Sequence, residues 1–177
     1  MDDLSIISDD GEYQTINKRK KKIMGLTIIL LISSYFLLGN AAFPFLASMS
    51  ESIEIDNNRI HVGPNLTIIF EDNTYGVIQN MYLQSQSVEF AVCLFGDVRG
   101  GNYIIDEVYA PQAIDQSFNH IKFKSCPLDT LILLHSHPHK KCIASNQDIN
   151  TLQTIKERNN DSLIVVMCDT NKFSVYN

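Results

Sequence analysis

Apolar positions along the chain form one long block near the N-terminus and then a series of short runs. Ile23 to Ala47 (IMGLTIILLISSYFLLGNAAFPFLA) holds no charged residue and follows the basic cluster Lys18-Arg19-Lys20-Lys21-Lys22. As a helix this block would span about 37 Å against a hydrocarbon core of about 30 Å, so it predicts one transmembrane helix over residues 23–47. A cleaved signal peptide, with Ala41 or Ala42 near the cleavage site, is the competing reading. The polar lead-in, residues 1–22, and the length of the apolar run favour the anchor. Five basic residues precede the block and only Arg59 lies close after it. The positive-inside rule therefore places the N-terminus in the cytoplasm and the larger domain outside.

Residues 48–64 read as an acidic linker, and residues 65–177 as a folded domain. Leu66 to Phe70 predicts a short strand, and Asn73 or Thr74 the cap of a helix to about Gln86, with Val77, Ile78 and Met81 on its apolar face. Val88 to Phe95 and Tyr103 to Ala110 predict two strands of a hairpin around the turn Asp97 to Asn102. Pro111 to Asn119 reads as loop, and Ile121 to Lys124 as a short strand. Leu131 to Leu134 is a continuous apolar run, the pattern of a strand buried on both faces. Ile149, Leu152 and Ile155 recur at helical spacing and predict a helix over Ser145 to Arg158. Leu163 to Cys168 and Phe173 to Tyr176 close the chain as strands. Strands dominate and two helices pack on them, which predicts an α/β sheet domain.

Candidate chemistry concentrates in Leu131 to Asp148, LILLHSHPHKKCIASNQD. On a strand, residues i and i+2 share a face, so His135 and His137 project side by side. Pro138 cannot extend a ladder and is expected to end the strand. Ser145 and Asp148 alone would make a capping box at a helix start. With the two histidines, Asp148 becomes a third candidate ligand. Three protein ligands with a fourth position open is the arrangement of a catalytic rather than a structural zinc. His139 continues the alternation but follows Pro138, which leaves its direction unset.

The run H-S-H-P-(x6)-S-x-x-D, His135 to Asp148, resembles the signature of the JAMM (MPN+, JAB-domain) zinc metalloproteases. Glu89 in VEFAVCLFG, seven residues before Gly96, matches the upstream Glu of that family. The resemblance covers roughly residues 65–177. It implies an MPN/JAB-like, cytidine-deaminase-like curved mixed β-sheet flanked by helices, here preceded by the transmembrane helix. It also implies one catalytic Zn2+ on His135, His137 and Asp148. Glu89 would act as the proton carrier and Ser145 as a hydrogen-bond donor to the developing oxyanion. The implied activity is isopeptidase cleavage after the C-terminal Gly-Gly of a ubiquitin-like or sulfur-carrier protein. Two alternatives stand beside it: a peptidase acting on extracytoplasmic envelope proteins, and a non-catalytic MPN scaffold for protein interactions.

Charge and cysteine content narrow the picture further. The net charge is −6, and all of the excess negative charge falls after Ala47, because the N-terminal tail carries as many acidic as basic residues. An acidic domain without a basic stripe excludes nucleic acid as a natural partner. Cys93, Cys126, Cys142 and Cys168 show no C-x-x-C spacing, which argues against a zinc knuckle. Cys93 and Cys168 sit in apolar runs and read as buried thiols, whereas Cys126 and Cys142 sit in loop-like contexts that would let them pair in an oxidising space.

Overall fold

The computed structural model describes residues 10–37, 52–117, 120–137 and 141–177. It divides into two units, Met1–Leu46 and Ala47–Asn177. The first contributes helix α1 (Asp10–Leu37). The expected transmembrane helix is corrected here. The N-terminal part of α1 carries the basic cluster, and its charge-free part, Ile23 to Leu37, rises only about 22 Å, short of the roughly 30 Å hydrocarbon core. Residues 38–47 of the expected span lie outside the described residues. Among the described residues no helix is long and apolar enough to cross a membrane. The single-pass membrane protein, its orientation and its outward-facing domain fall as readings with it.

The second unit is built on a mixed sheet that is nearly barrel-like. Its strands are β1 (Ile53–Glu54), β2 (Arg59–Val62), β3 (Leu66–Phe70), β4 (Ala91–Arg99), β5 (Asn102–Tyr109), β8 (Ile132–Ser136), β9 (Leu163–Asp169) and β10 (Lys172–Tyr176). They are ordered β1-β10-β9-β8-β4-β5-β3-β2. The β3/β5 and β8/β9 pairs are parallel and the others antiparallel. An Asp56–Arg59 bridge links the segments of β1 and β2, the two end strands. The stretch read as linker therefore supplies both sheet edges. A separate hairpin, β6 (Ala113–Ser117) with β7 (His120–Phe123), replaces the loop expected over Pro111 to Asn119. Every residue of β6 is exposed, so no burial pattern marked it as strand.

Two helices cover the sheet on opposite faces. Helix α2 (Thr74–Gln84) packs Ile78, Tyr75, Met81 and Tyr82 against the main core, which includes Ile132, Leu134, Val165, Met167 and Phe173. The Tyr75 and Tyr82 hydroxyls donate to the carbonyls of Thr170 and Cys168, at 2.7 and 2.8 Å. Helix α3 (Asn146–Lys156) lies on the other face, where Leu152 meets Leu133 and Ile164. Strand alternation explains the division: 132 and 134 face α2, while 133 faces α3. Because β8 is covered on both sides, all five of its residues are buried, as its continuous apolar run implies.

Two disulfides join elements that the sequence reading kept apart. Cys93 pairs with Cys126 and Cys142 with Cys168. The expected free thiols at Cys93 and Cys168 and the pairing of Cys126 with Cys142 are corrected. Each loop cysteine reaches the strand cysteine beside it, a proximity set by the fold rather than by spacing along the chain.

One glycine has a strict steric role. Gly96 sits at a bulge between β4 and β5 with φ +151°, and a Cβ there would fall 1.8 Å from the Ile104 carbonyl oxygen. Gly96→Ala must push the two strands apart. We predict a loss of about 3 kcal/mol or more in urea unfolding; an unchanged midpoint would contradict the close approach.

Candidate metal centre

The site is assembled where the face of β8 covered by α3 runs past the sheet. His135 ends the alternation begun by Leu133, and His137 follows it on the same side. Both are buried, at 5% and 7% exposure. Their Nε2 atoms stand 3.2 Å apart. Ser136, between them, points the other way: its hydroxyl accepts the Phe90 amide at 3.0 Å, and its own amide donates to the Phe90 carbonyl at 2.9 Å. The residue between the histidines thus fastens β8 to the segment carrying Glu89. The His137 amide donates to the Met167 carbonyl at 3.0 Å, which extends the β8/β9 ladder by one residue.

Asp148 arrives from the first turn of α3. Ser145 is the N-cap, and the capping box is complete. The Ser145 hydroxyl donates to Asp148 Oδ2 at 2.7 Å, the Ser145 amide donates to the same oxygen at 2.6 Å, and the Asp148 amide donates back to Ser145 Oγ at 3.3 Å. Oδ1 is left facing His135 Nε2 at 3.2 Å. The cap and the ligand are therefore the same arrangement. The Ser145 proton expected for an oxyanion is given to Asp148 instead.

Ligand atoms of His135, His137 and Asp148 lie within 4.8 Å of one another, and the three can hold a metal ion. The donor set fits such an ion on two further grounds. His137 Nδ1 lies 3.1 Å from the Lys141 carbonyl, a contact that places a proton on Nδ1 and leaves the Nε2 lone pair directed at the other donors. Two ligands at zinc distances of about 2.0–2.1 Å in a tetrahedral shell lie about 3.3 Å apart, close to the His135–His137 and His135–Asp148 separations of 3.2 Å.

The fourth titratable group, Glu89, is buried at 7% exposure. It lies two residues before β4 rather than within the strand. Its carboxylate Oε1 is 3.9 Å from His137 Nε2, beside the three donors without joining them. Its backbone is held by the β6 edge: the Glu89 amide donates to the Ser117 carbonyl at 3.2 Å, and the Gln116 side-chain amide donates to the Glu89 carbonyl. All five candidate residues, Glu89, His135, His137, Ser145 and Asp148, come together here.

The loop between His137 and Asp148 is tied at several points. Cys142 is bonded to Cys168 at the end of β9. The Tyr176 hydroxyl accepts the Ala144 amide at 2.9 Å and lies 3.4 Å from the Cys142 carbonyl. Cys142 is thereby occupied as a tether and is not a ligand. His139 lies outside the described residues. Ser136, Gln116 and Tyr176 were not singled out from the sequence. Only Ser136 left a trace there, as the residue flanked by both histidines.

Burial, then the neighbouring His135, pushes the His137 imidazole down to about 4. Burial works to raise the Asp148 carboxyl, but His135 and the Ser145 hydrogen bonds outweigh it and hold Asp148 well below the usual carboxylate range. At neutral pH the site therefore offers a neutral imidazole and an ionised carboxylate, the protonation states a metal requires.

The chain matches no protein-family model, and no curated protein is significantly similar to it.

A pH prediction follows from His137. Its folded pKa lies below the ordinary imidazole value of about 6.5, so unfolding takes up a proton between pH 6.5 and about 4. Stability from this group is fully present above pH 6.5 and is lost as pH falls towards 4, by roughly 3 kcal/mol at the limit. Thermal melts of metal-free protein across this window should fall more steeply for the native chain than for His137→Gln. Equal slopes would contradict the assignment. Asp148 contributes only at lower pH, through its own depressed pKa.

Proposed function

We propose that the chain is a zinc-dependent amide hydrolase of the JAMM type, cleaving after the C-terminal Gly-Gly of a ubiquitin-like or sulfur-carrier protein. The observation carrying this reading is the convergence of His135, His137 and Asp148 on one point with a separate buried carboxylate, Glu89, 3.9 Å from His137. Three donors leave room for water and substrate. The residue pattern that resembles the JAMM signature selects amide cleavage among the hydrolytic reactions such a centre can serve.

His135, His137 and Asp148 would hold the ion, which when bound supplies Lewis acidity to water and to the scissile carbonyl. Glu89 takes a proton from the attacking water and returns it to the departing amine, so one carboxylate serves as base and then acid. Its carboxylate lies 3.9 Å from His137 Nε2, beside the donors and within reach of that transfer. Ser145 positions Asp148 by accepting one amide and donating to one carboxylate oxygen. Donation by Ser145 to substrate would require breaking its bond to Oδ2, so we assign it to positioning. Burial of the histidines and Glu89 excludes bulk water and strengthens each polar contact made there.

The test uses a ubiquitin-like protein fused through its Gly-Gly end to a reporter, with zinc-loaded chain. Glu89→Gln should lower the cleavage rate at least about 100-fold while zinc content is unchanged. Full activity in the variant would remove Glu89 from the reaction. Absence of cleavage by the native chain, with zinc bound, would reject this substrate class.

A further inference from the structure

A cavity opens along α3, one strand period down β8 from the metal donors. Its volume is about 370 Å³, within the lower range of small-molecule sites. Leu133 lines it, and Leu133 lies two residues before His135 on the same face of β8. The helix contributes Gln147, Thr151 and Thr154, a stripe at helical spacing beside the one that carries Asp148 and Leu152. Phe123, Leu128 and Ile155 make the rest of its wall mainly apolar. Leu128 is 73% exposed, an apolar side chain at this cavity with much of its surface in water.

One charged side chain selects what would fill it. Among the described residues Arg158 is the only charged one lining the cavity, and it makes no ion pair with any of them. On a chain of net charge −6, an unpaired guanidinium beside an apolar hollow is a local attraction for an anion against a repelling background.

We propose that this cavity binds a small amphipathic carboxylate, with its apolar body against Phe123, Leu128, Leu133 and Ile155 and its carboxylate at the Arg158 guanidinium. The guanidinium fork matches a carboxylate in two parallel hydrogen bonds. The volume suits a short acyl or aryl chain rather than a folded partner. The site shares α3 with the metal centre but none of its donors, so occupancy does not depend on bound metal.

The full chain, prepared metal-free and zinc-loaded, is titrated calorimetrically with octanoate, octanol and acetate. Octanoate should bind saturably and equally in both preparations. Octanol lacks the charge and acetate the apolar body, and each should bind at least about tenfold more weakly. Arg158→Gln should bring octanoate to the affinity of octanol. Thr151→Trp, which fills the cavity from a half-buried helix position, should abolish octanoate binding with the melting transition retained. Equal affinity for octanoate and octanol would overturn the proposal, as would octanoate binding unchanged by Arg158→Gln. Octanoate binding that requires zinc would place the carboxylate at the metal centre and overturn it equally.

Discussion

Asp148 is held from two directions at once, and the site depends on that double hold. One carboxylate oxygen closes the capping box with the amide and hydroxyl of Ser145, and the other faces His135. The cap fixes where α3 begins, and packing of Leu152 on Leu133 and Ile164 fixes where the helix lies. An N-cap contact of this kind is worth about 1 kcal/mol, small beside the burial of the surrounding side chains. Its importance is geometric, since it leaves the carboxylate one orientation in which to meet the imidazoles.

Bringing two imidazoles and two carboxylates into a buried cleft is unfavourable for each taken alone. The structure resolves this by splitting their charge states: His137 is driven towards the neutral form, while Asp148 is kept ionised by its hydrogen bonds. A cation at the centre would complete the compensation. The surrounding scaffold prevents escape by movement. Ser136 clamps β8 to the Glu89 segment, the Cys142–Cys168 disulfide ties the intervening loop to β9, and Tyr176 holds the Ala144 backbone.

Four of the five site residues were legible from strand and helix periodicity: alternation put both histidines on one face, and the S-x-x-D pattern marked the start of α3. Glu89 was legible only through the resemblance, since a lone Glu at a strand edge carries no periodic signal. The strand at Leu131 was legible because it is buried on both faces. Polar, exposed β6 and the short edge strands β1 and β2 were not, since their pairing depends on neighbours distant in the chain. Cysteine pairing was invisible for the same reason. The apolar block was read at full length as a membrane span, but the charge-free part of α1 is too short for one. Gln116 and Tyr176 act through a backbone carbonyl and a backbone amide, contacts that no residue pattern announces.

The central claim is that His135, His137 and Asp148 form one metal site with an open position. Its most direct test is zinc titration of the metal-free chain, read by calorimetry, beside Asp148→Asn. The account predicts one zinc per chain and an affinity weakened at least about tenfold in the variant. No stoichiometric uptake by the native chain, or equal uptake by the variant, would contradict it.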